Sequence, residues 1–519
     1  MVFYLMSNSR PILTGAIILT LTGITSRIIG FFYRIFLSHT IGAEGMGIYQ
    51  MIFPIYTLCF TLCAAGLQTA LSRTIATRTA QNDPKGAFDT FIVGLSLSLT
   101  ASMAAAFALY HFSGYAAVHI LHEPRCELLL RVLPFAVPLA ALHSCISAYY
   151  YARKKTAVPS FCQLLEQFVR VASSYLICTV MTAEGYMPTP MIAVGGMLAG
   201  ECASALASLI AVQLEFSKND YRMRSLSKPF VHMRELLKLS APLAANRLML
   251  NLLNSSEAVL IPARLKAFGM SSSEALSVYG VFTGMALPMI LFPGAITHSV
   301  SVMLLPTVAQ DQAAGRTERI SVTIERTIRY CLMLGIFFLG IFAFHGKDLG
   351  RYVFSNTQAG TFLTILAFIC PFLYLNSTLA GILNGLGKTS LCFTQNLLGL
   401  LVRLIFVQFS IPVLGIRGYL YGILCSELFV TLLCLAFLYR QVPFSFDAVN
   451  AIVKPCAVMA LVTGCGMFIE QVADAFSHVP PLLVLGAELL TMAGLYLVFL
   501  MLFGILRLPR YTKQDHSSI

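Results

Sequence analysis

Long apolar stretches alternate with short polar ones along the whole chain. Windows without Asp, Glu, Lys or Arg, such as 275–310 and 352–387, extend far past the ~20 residues that a membrane-crossing helix needs. The apolar stretches between charged and turn residues predict fourteen membrane-spanning helices, and hence an all-α polytopic membrane protein. Their approximate bounds are 12–37, 46–71, 87–112, 127–151, 157–182, 190–215, 234–262, 275–309, 321–344, 359–386, 391–414, 418–439, 448–472 and 481–506.

The composition supports a membrane protein. Of the 519 residues, 57% are hydrophobic and 11% are charged, against the roughly 25% charged residues of soluble domains. This balance excludes a soluble enzyme. The 14 cysteines form no CxxC motif and no cysteine–histidine cluster at metal-ligand spacing, so we interpret them as small packing residues. No metal and no cofactor is predicted.

The net charge of +12 follows the predicted topology. An even number of spans places both termini on one side, where the short connections carry 19 Lys and Arg residues, against 6 on the opposite side. By the positive-inside rule, both termini are expected in the cytoplasm. The basic surplus is then a topology signal and an attraction to anionic membrane lipids, and no nucleic-acid partner is expected.

An internal repeat divides the predicted spans into two lobes. Glu201 has a counterpart in Glu427, and a proline, a loop lysine and an intramembrane arginine recur at an offset of 233, in the pairs Pro138 and Pro371, Lys155 and Lys388, and Arg170 and Arg403. Six spans separate equivalent positions, so we predict two parallel six-helix repeats plus two C-terminal helices. The predicted domains are an N-lobe at 1–228, a C-lobe at 229–445, and the last two spans with a cytoplasmic tail at 446–519. Two such lobes indicate an alternating-access transporter, with a two-lobed scaffold as the alternative.

Basic residues inside the spans are the candidate substrate ligands. A charge in the membrane interior costs at least ~2.5 kcal/mol unless it meets water, a partner or a ligand. Arg27 and Arg34 lie two helical turns apart on one face of span 1, which contains no acidic residue, and Arg247 lies in span 7. We predict that these three arginines line a cavity between the lobes. A cationic cavity implies an anionic substrate.

The other intramembrane charges are candidates for the cavity or for internal pairing. Glu166 and Arg170 have the i,i+4 spacing of an ion pair, and both readings stay open for Arg170 and Arg403. The further candidate cavity charges are Glu166, Arg170, Glu201, Glu257, Arg403 and Glu427. Span 8 contains Pro288 and Pro293, which predict a kinked or broken helix that could act as a gate. A static kink is the alternative.

Three motifs carry a resemblance to a known family. They are SRIIGF at 26–31, IGAEGMGIY at 41–49 and IPARL at 261–265. With these motifs the chain resembles the stage V sporulation protein B-like branch of the multidrug/oligosaccharidyl-lipid/polysaccharide (MOP) flippase superfamily, which is related to the MurJ-type lipid II flippases. The resemblance implies a flippase or exporter of undecaprenyl-diphosphate-linked glycans in the bacterial plasma membrane, for cell-wall, spore-cortex or polysaccharide synthesis.

The resemblance also implies partners and site residues. The partners would be a lipid-linked anionic glycan, membrane lipids and a coupling ion, Na+ or H+, with the chain acting as a monomer. Arg27 matches the first cavity arginine of the relatives. Arg34 is offset by one residue from the second, and Ile35 stands where the relatives have an acidic residue. The basic residues of their second span are missing here, where Phe60 and Thr61 occupy that region.

Two other classes of function are weighed against this one. A multidrug or cation antiporter of the same superfamily is the alternative, but it would need an acidic cavity, whereas the candidate face of span 1 is basic. A membrane enzyme is not expected, because no connection is long enough to hold sugar-binding and catalytic groups.

Overall fold

The computed structural model describes residues 2–218, 229–473 and 480–506, with the side-chain surroundings of 18–217, 229–466 and 480–506. Within these ranges the chain is helical and has no β-strand, which confirms the predicted all-α fold class. The α-helices are α1 Val2–Phe60, α2 Gly66–Ala80, α3 Pro84–His111, α4 Ser113–Tyr115, α5 Glu127–Val132, α6 Ala136–Ala152, α7 Ala157–Ala183, α8 Met191–Lys218, α9 Pro229–Ala267, α10 Ser272–Gly280, α11 Leu287–Leu291, α12 Gly294–Ala313, α13 Thr317–Phe354, α14 Thr357–Leu366, α15 Cys370–Gly385, α16 Thr389–Phe409, α17 Ile411–Leu414, α18 Ile416–Gln441, α19 Lys454–Ala473 and α20 Pro481–Leu502.

Short segments of other helix types join or extend these helices. A π-helix has wider turns than an α-helix and leaves some of its carbonyls outside the regular hydrogen-bond ladder. The π-helical segments are Thr61–Ala65, Ala116–Ile120, Val281–Ala286 and Val449–Val453, and the 3₁₀ segments are Pro124–Cys126, Leu133–Phe135 and Ala367–Ile369.

Twelve helical segments in the described ranges are long and apolar enough to cross a membrane. One of them, Ile18–Ala80, covers predicted spans 1 and 2 and bends at Gly42, whose φ of 69° and ψ of −177° suit a residue without a Cβ. Predicted span 7 coincides with α9, which is a helix but is too polar to be one of the twelve. The number of fourteen spans therefore stays a prediction.

The chain forms two compact units. The first contains Met1–Ala295 and Phe393–Ser426, and the second contains Ile296–Cys392 and Glu427–Ile519. These units follow the packing of the helices, whereas the predicted lobes at 1–228 and 229–445 follow the sequence repeat. The first predicted boundary and the tail beyond 506 lie outside the described residues. The lobe division stays a prediction.

An aromatic core holds the helices of the first unit together. The ring centroids of Phe91 on α3 and Tyr149 on α6 are 5.0 Å apart. Phe216 on α8 lies 5.7 Å from each of these two rings. Leu71 on α2 is fully buried in the same core. Aromatic contacts of this kind contribute about 0.5–1.5 kcal/mol each beyond the area they bury, so they fix α2, α3, α6 and α8 as one body.

The second unit is built around α13. Its core is formed by buried aliphatic side chains of α13, α15 and α18, among them Ile324, Ile328, Leu379, Ile382 and Leu438. At Gly335 an added Cβ would lie 2.4 Å from the Cα atom of Pro371, so only glycine permits this close approach of α13 and α15. Tyr496 on α20 donates a 3.0 Å hydrogen bond to the carbonyl oxygen of Met333, which attaches the C-terminal helix to α13.

Candidate functional site

The first two predicted substrate ligands lie on α1. Arg27 is exposed, and no hydrogen bond or ion pair is found for its side chain among the described residues. Arg34, two turns further along, is partly buried and donates from Nη1 to the carbonyl oxygen of Thr283 at 3.4 Å. Thr283 belongs to the π-helical segment Val281–Ala286. Arg27 is thus the arginine of this pair that contacts no polar group in the part of the chain that the structure describes, whereas Arg34 contacts a neutral carbonyl.

The third predicted ligand, Arg247 on α9, is held by another π-helical segment. Its Nη1 atom donates to the carbonyl oxygen of Ala65 at 2.9 Å, and Nη2 lies 3.4 Å from the hydroxyl of Thr69. One turn further along α9, Asn251 donates to the hydroxyl of Thr61 at 2.6 Å. Thr61–Ala65 is π-helical, so its carbonyls offer acceptors that a regular helix would use itself.

The two arginine contacts follow one pattern within the first unit. An arginine of predicted span 1 binds a π-helical carbonyl of predicted span 8, and an arginine of predicted span 7 binds one of predicted span 2. A guanidinium has five N–H donors, so the one bond of Arg34 and the two bonds of Arg247 leave donors for a ligand. Nothing joins Arg247 directly to Arg27 or Arg34 among the contacts described, and their common cavity stays a prediction.

Five polar side chains from four helices form a second feature of the first unit, which we call the histidine–carboxylate cluster: Tyr56, His143, Glu166, Arg170 and Glu201. Arg170 donates from Nη2 to Glu166 and lies 3.8 Å from Oε1 of Glu201. Tyr56 donates to the same Oε1 atom at 3.1 Å, and Nδ1 of His143 lies 3.4 Å from Oε2 of Glu201. The predicted i,i+4 pair is therefore present, inside a larger group.

Glycines bring α7 and α8, two of the four helices of this cluster, together. On α8, an added Cβ at Gly196 would lie 2.7 Å from the backbone oxygen of Arg170, and one at Gly200 would lie 2.8 Å from that of Glu166. These distances are shorter than van der Waals contact, so α7 and α8 approach as closely as they do because both positions lack a side chain. Glu201 follows directly and meets the charged face of α7.

A third group contains two more of the predicted cavity charges. Nη2 of Arg403 on α16 lies 3.2 Å from Oε2 of Glu257 on α9. Tyr419 on α18 donates to Oε1 of the same carboxylate at 2.7 Å. The Glu257 side chain is 8% exposed and that of Arg403 is 22% exposed. Glu257 and Arg403 thus form an ion pair that is largely shielded from solvent.

Glu427, the last predicted cavity charge, lies in the second unit, and none of its contacts with described residues connects it to either group. Its Oε2 atom accepts a 2.8 Å hydrogen bond from Nδ2 of Asn376. Asn376 stands 233 residues after His143, in the register of the sequence repeat. The contact of His143 with Glu201 therefore has an equivalent in the second copy, with an amide in place of the imidazole.

The predicted break in span 8 is present. α11 ends at Leu291 and α12 begins at Gly294, with Pro293 in the interruption, while Pro288 occupies the first turn of α11. Proline lacks the N–H that would continue the ladder, which explains the stop. A gating role for Pro288 and Pro293 stays a prediction.

Sequence reasoning missed several members of these groups. His143, Tyr56 and Tyr419 are lone polar residues in apolar spans and carry no motif. A usable signal for His143 was available, because it precedes Ser144 as Asn376 precedes Ser377 in the second repeat copy. The two tyrosines had no such signal, since their roles depend on which helices pack together.

Two protein-family models match the chain. The model described as polysaccharide biosynthesis protein matches residues 12–312. The MatE model matches residues 265–408. Together they cover most of the two predicted repeats.

Among characterised proteins, the chain is similar to stage V sporulation protein B of Bacillus subtilis (strain 168). The two are 25% identical over 504 residues, which cover 96% of each chain. It is also similar to the lipid II flippase MurJ of the same organism, at 21% identity over 432 residues that cover 76% of this chain and 77% of that one.

Solved structures share the fold. The lipid II flippase MurJ in an inward closed conformation aligns with a TM-score of 0.68 at 16% identity, covering 94% of this chain and 98% of that chain. An inward-facing multidrug resistance MATE family transporter of the MOP superfamily aligns with a TM-score of 0.63 at 14% identity, covering 82% and 98%. Both likenesses support the predicted polytopic all-α transporter fold.

Proposed function

The chain belongs to the polysaccharide biosynthesis protein family, and from this premise we propose that it flips undecaprenyl-diphosphate-linked glycans across the bacterial plasma membrane by alternating access. It is a multi-pass membrane transporter of the MOP superfamily. The relative named lipid II flippase supports the substrate class. The proposal includes cytoplasmic termini, a monomer, and a product used for cell-wall, spore-cortex or polysaccharide synthesis.

The observation that carries this proposal is the state of the charges in the membrane helices. Arg27 has no counter-group among the described residues, whereas Glu166 and Glu257 are each bound by an arginine. A free guanidinium favours an anionic ligand, while a cation carrier would need carboxylates that its substrate can reach, and the side chains of Glu201 and Glu257 are only 6% and 8% exposed. The charges thus favour a diphosphate substrate.

The shape of such a substrate suggests the mechanism. A diphosphate–sugar headgroup cannot cross hydrocarbon unaided, because its charges and hydroxyls would lose their hydrogen bonds to water. The polyprenyl tail never has to leave the lipid. We propose that Arg27, Arg34 and Arg247 take over the water hydrogen bonds of the diphosphate, for which the planar guanidinium is well suited.

The break in predicted span 8 supports a moving part in this cycle. A helix interrupted at Pro293 can change direction there without breaking further backbone hydrogen bonds. We propose that Pro288 and Pro293 form a gate that opens and closes access to the arginines.

Transport by purified protein tests the function directly. In liposomes containing fluorescent lipid II or another lipid-linked diphosphate sugar, the wild-type protein should move the headgroup across the bilayer. Arg27→Ala should slow this at least ~10-fold, since a charge-assisted hydrogen bond contributes about 1.5–3 kcal/mol. Arg27→Lys keeps the positive charge but loses the planar guanidinium with its paired N–H donors. This variant should therefore transport more slowly than the wild type but faster than Arg27→Ala.

The matched control is Arg131→Ala, because Arg131 is exposed and pairs with Glu127 on its own helical stretch. It should transport at the wild-type rate. Both alanine variants should be as abundant in the membrane as the wild-type protein. An Arg27→Ala protein that transports at full speed would contradict the proposed role of this arginine.

The alternative is a multidrug or cation antiporter, which the match to the MatE model supports. It predicts transport of organic cations and no transport of lipid-linked diphosphates in the same liposomes.

A further inference from the structure

The histidine–carboxylate cluster has an unbalanced charge. Glu166 and Glu201 are two carboxylates, and Arg170 is the one permanent cation with them. Tyr56 contributes a neutral hydroxyl. With His143 neutral the group carries one net negative charge inside a membrane-spanning unit, and an uncompensated buried charge costs several kcal/mol. One positive charge would cancel it.

Two atoms of the cluster face each other without a hydrogen bond. Oε2 of Glu201 and Nδ1 of His143 are buried and have no hydrogen-bond partner among the described residues. They lie 3.4 Å apart. The Glu201 side chain is 6% exposed, so water cannot replace the missing partner freely. The unmet carboxylate oxygen therefore points at the one group of the cluster that can gain a positive charge.

A proton fits this site better than a metal ion. Ligand atoms of His143, Glu166 and Glu201 do lie within 4.8 Å of one another. However, Nη2 of Arg170 contacts Glu166 and lies 3.8 Å from Glu201, so a guanidinium already stands beside both carboxylates. A metal ion bound there would be repelled by the positive charge of this guanidinium. A proton needs no coordination shell, and the His143 side chain is 22% exposed, which allows exchange with water.

The second repeat copy lacks this titratable group. Asn376 occupies the position of His143 and donates an amide N–H to Glu427. Gly399 occupies the position of Glu166, and Arg403 pairs with Glu257 instead. At this position of the repeat, therefore, the first copy has an imidazole, which can change charge near neutral pH, and the second copy has an amide, which cannot.

We infer that the histidine–carboxylate cluster is a proton-binding site, in which His143 takes up one proton and releases it during each transport cycle. The proton comes from water and converts the neutral imidazole to an imidazolium, whose Nδ1–H then faces the Glu201 carboxylate. Among the described residues, Glu201 on α8 lies against Nδ1 of His143, and a carboxylate oxygen of Glu166 on α7 lies within 4.8 Å of an imidazole nitrogen. Arg170 on α7 and Tyr56 on α1 each contact Glu201. The coupling part of this inference rests on the proposed transport function, whereas proton binding does not.

Proton binding is tested without substrate. In purified protein labelled with ¹³C at histidine Cε1, the resonance lost in His143→Asn identifies His143. Its chemical shift should titrate between about pH 5 and about pH 9, and Glu201→Gln should move the midpoint to lower pH because the facing carboxylate is gone. Asparagine is chosen because the second copy carries it beside a glutamate, and His143→Gln is the second choice if it fails to fold. A His143 resonance that stays in one form over this range would overturn the inference.

Thermal unfolding gives an independent readout. Because the imidazolium neutralises the cluster, the Tm difference between wild type and His143→Asn should be larger at about pH 5.5 than at about pH 8.5. His119→Asn is the control, since His119 is exposed and stacks on Tyr115, with ring centroids 4.5 Å apart. It should show no such pH dependence, and an equal pH dependence in both variants would count against the site.

Transport tests the coupling. A pH gradient should accelerate lipid-linked glycan flipping by the wild-type protein, and His143→Asn should abolish that acceleration while it still binds the substrate. Acceleration by a Na+ gradient alone, with His143→Asn as fast as wild type, would overturn the coupling. If the wild-type protein moves no lipid-linked glycan, the proposed function fails, while the histidine titration still decides whether the proton site exists.

Discussion

Arginines in the membrane helices of the first unit occur in two chemical situations. Arg170 and Arg403 each contact a carboxylate and belong to buried polar groups. Arg27 has no such partner among the described residues, and Arg34 and Arg247 bind only neutral acceptors. Paired arginines should therefore matter for stability, whereas the three others should matter for ligand binding. This difference can be measured residue by residue.

Removing Arg403 should destabilise the protein. Arg403→Ala leaves the Glu257 carboxylate, 8% exposed, with the Tyr419 hydroxyl but without its counter-charge. Breaking a buried ion pair in this way costs about 3–5 kcal/mol, so Tm in detergent should fall by several degrees. Adding Glu257→Gln removes the buried charge and should restore most of the loss. If Arg403→Ala alone is as stable as the wild-type protein, Arg403 and Glu257 do not form a buried ion pair.

A carboxylate outside the spans predicts a pH effect of the opposite kind. Burial alone would raise the pKa of Glu123, but hydrogen bonds from Arg125 at 2.6 Å and from Ser272 at 2.8 Å hold it below its ordinary value. A lowered pKa in the folded state contributes stability above the ordinary glutamate pKa, and this stability is lost as the pH falls through the folded-state pKa. Glu123→Gln should thus lower Tm at neutral pH, with a smaller difference below about pH 4.

The control for this effect is Glu127→Gln, which removes an exposed ion pair with Arg131. Exposed pairs contribute little, so its Tm should stay near the wild-type value. A Glu123→Gln difference that is unchanged at acid pH would mean that the lost hydrogen-bond geometry, and not the charge, causes it.

At the scale of helices, the close contact of α7 and α8 positions the histidine–carboxylate cluster. Gly200→Val would place a Cβ 2.8 Å from the backbone oxygen of Glu166, which cannot move without α7. We expect a destabilisation of about 1–3 kcal/mol from this overpacking, together with an altered His143 titration. Gly486→Ala on α20 is the control, because nothing lies within 4 Å of its added Cβ, and it should be neutral or slightly stabilising. If the His143 titration is unchanged in Gly200→Val, the glycine contact does not position the cluster.

The helices were predictable to different degrees. Charge-free apolar windows predicted most of the spans, and two prolines predicted the break between α11 and α12, because proline acts on the backbone wherever it stands. The π-helical segments Thr61–Ala65 and Val281–Ala286 have no such local cause. They depend on contacts with other helices, and so the acceptors of Arg34 and Arg247 could not be predicted.

For the whole molecule, the sequence repeat relates contacts that the two packing units separate. The shared register relates His143 with Glu201 to Asn376 with Glu427, two contacts that lie in different compact units. The division into units instead assigns Phe393–Ser426 to the first unit, away from its neighbours in sequence. A repeat reflects the common origin of the two copies and is visible in the sequence as a constant offset between equivalent residues. The packing units depend on which helices contact each other in the folded protein, and no constant offset reveals those contacts.

The sign of the substrate charge decides between the two transport functions of the whole molecule. If Arg27, Arg34 and Arg247 bind a diphosphate, purified protein should bind lipid-linked diphosphate sugars tightly at low salt and more weakly at high salt, because added ions screen the water-accessible guanidinium groups. Arg27→Ala should weaken this binding about 10-fold or more, while Arg131→Ala should not. Organic cations should bind weakly to all three proteins, since the carboxylates of Glu166, Glu201 and Glu257 in the described spans are buried and out of reach of a bulky ligand. Tight cation binding without salt-sensitive diphosphate binding would replace the flippase with an antiporter, and it would do so without any assumption about how transport is driven.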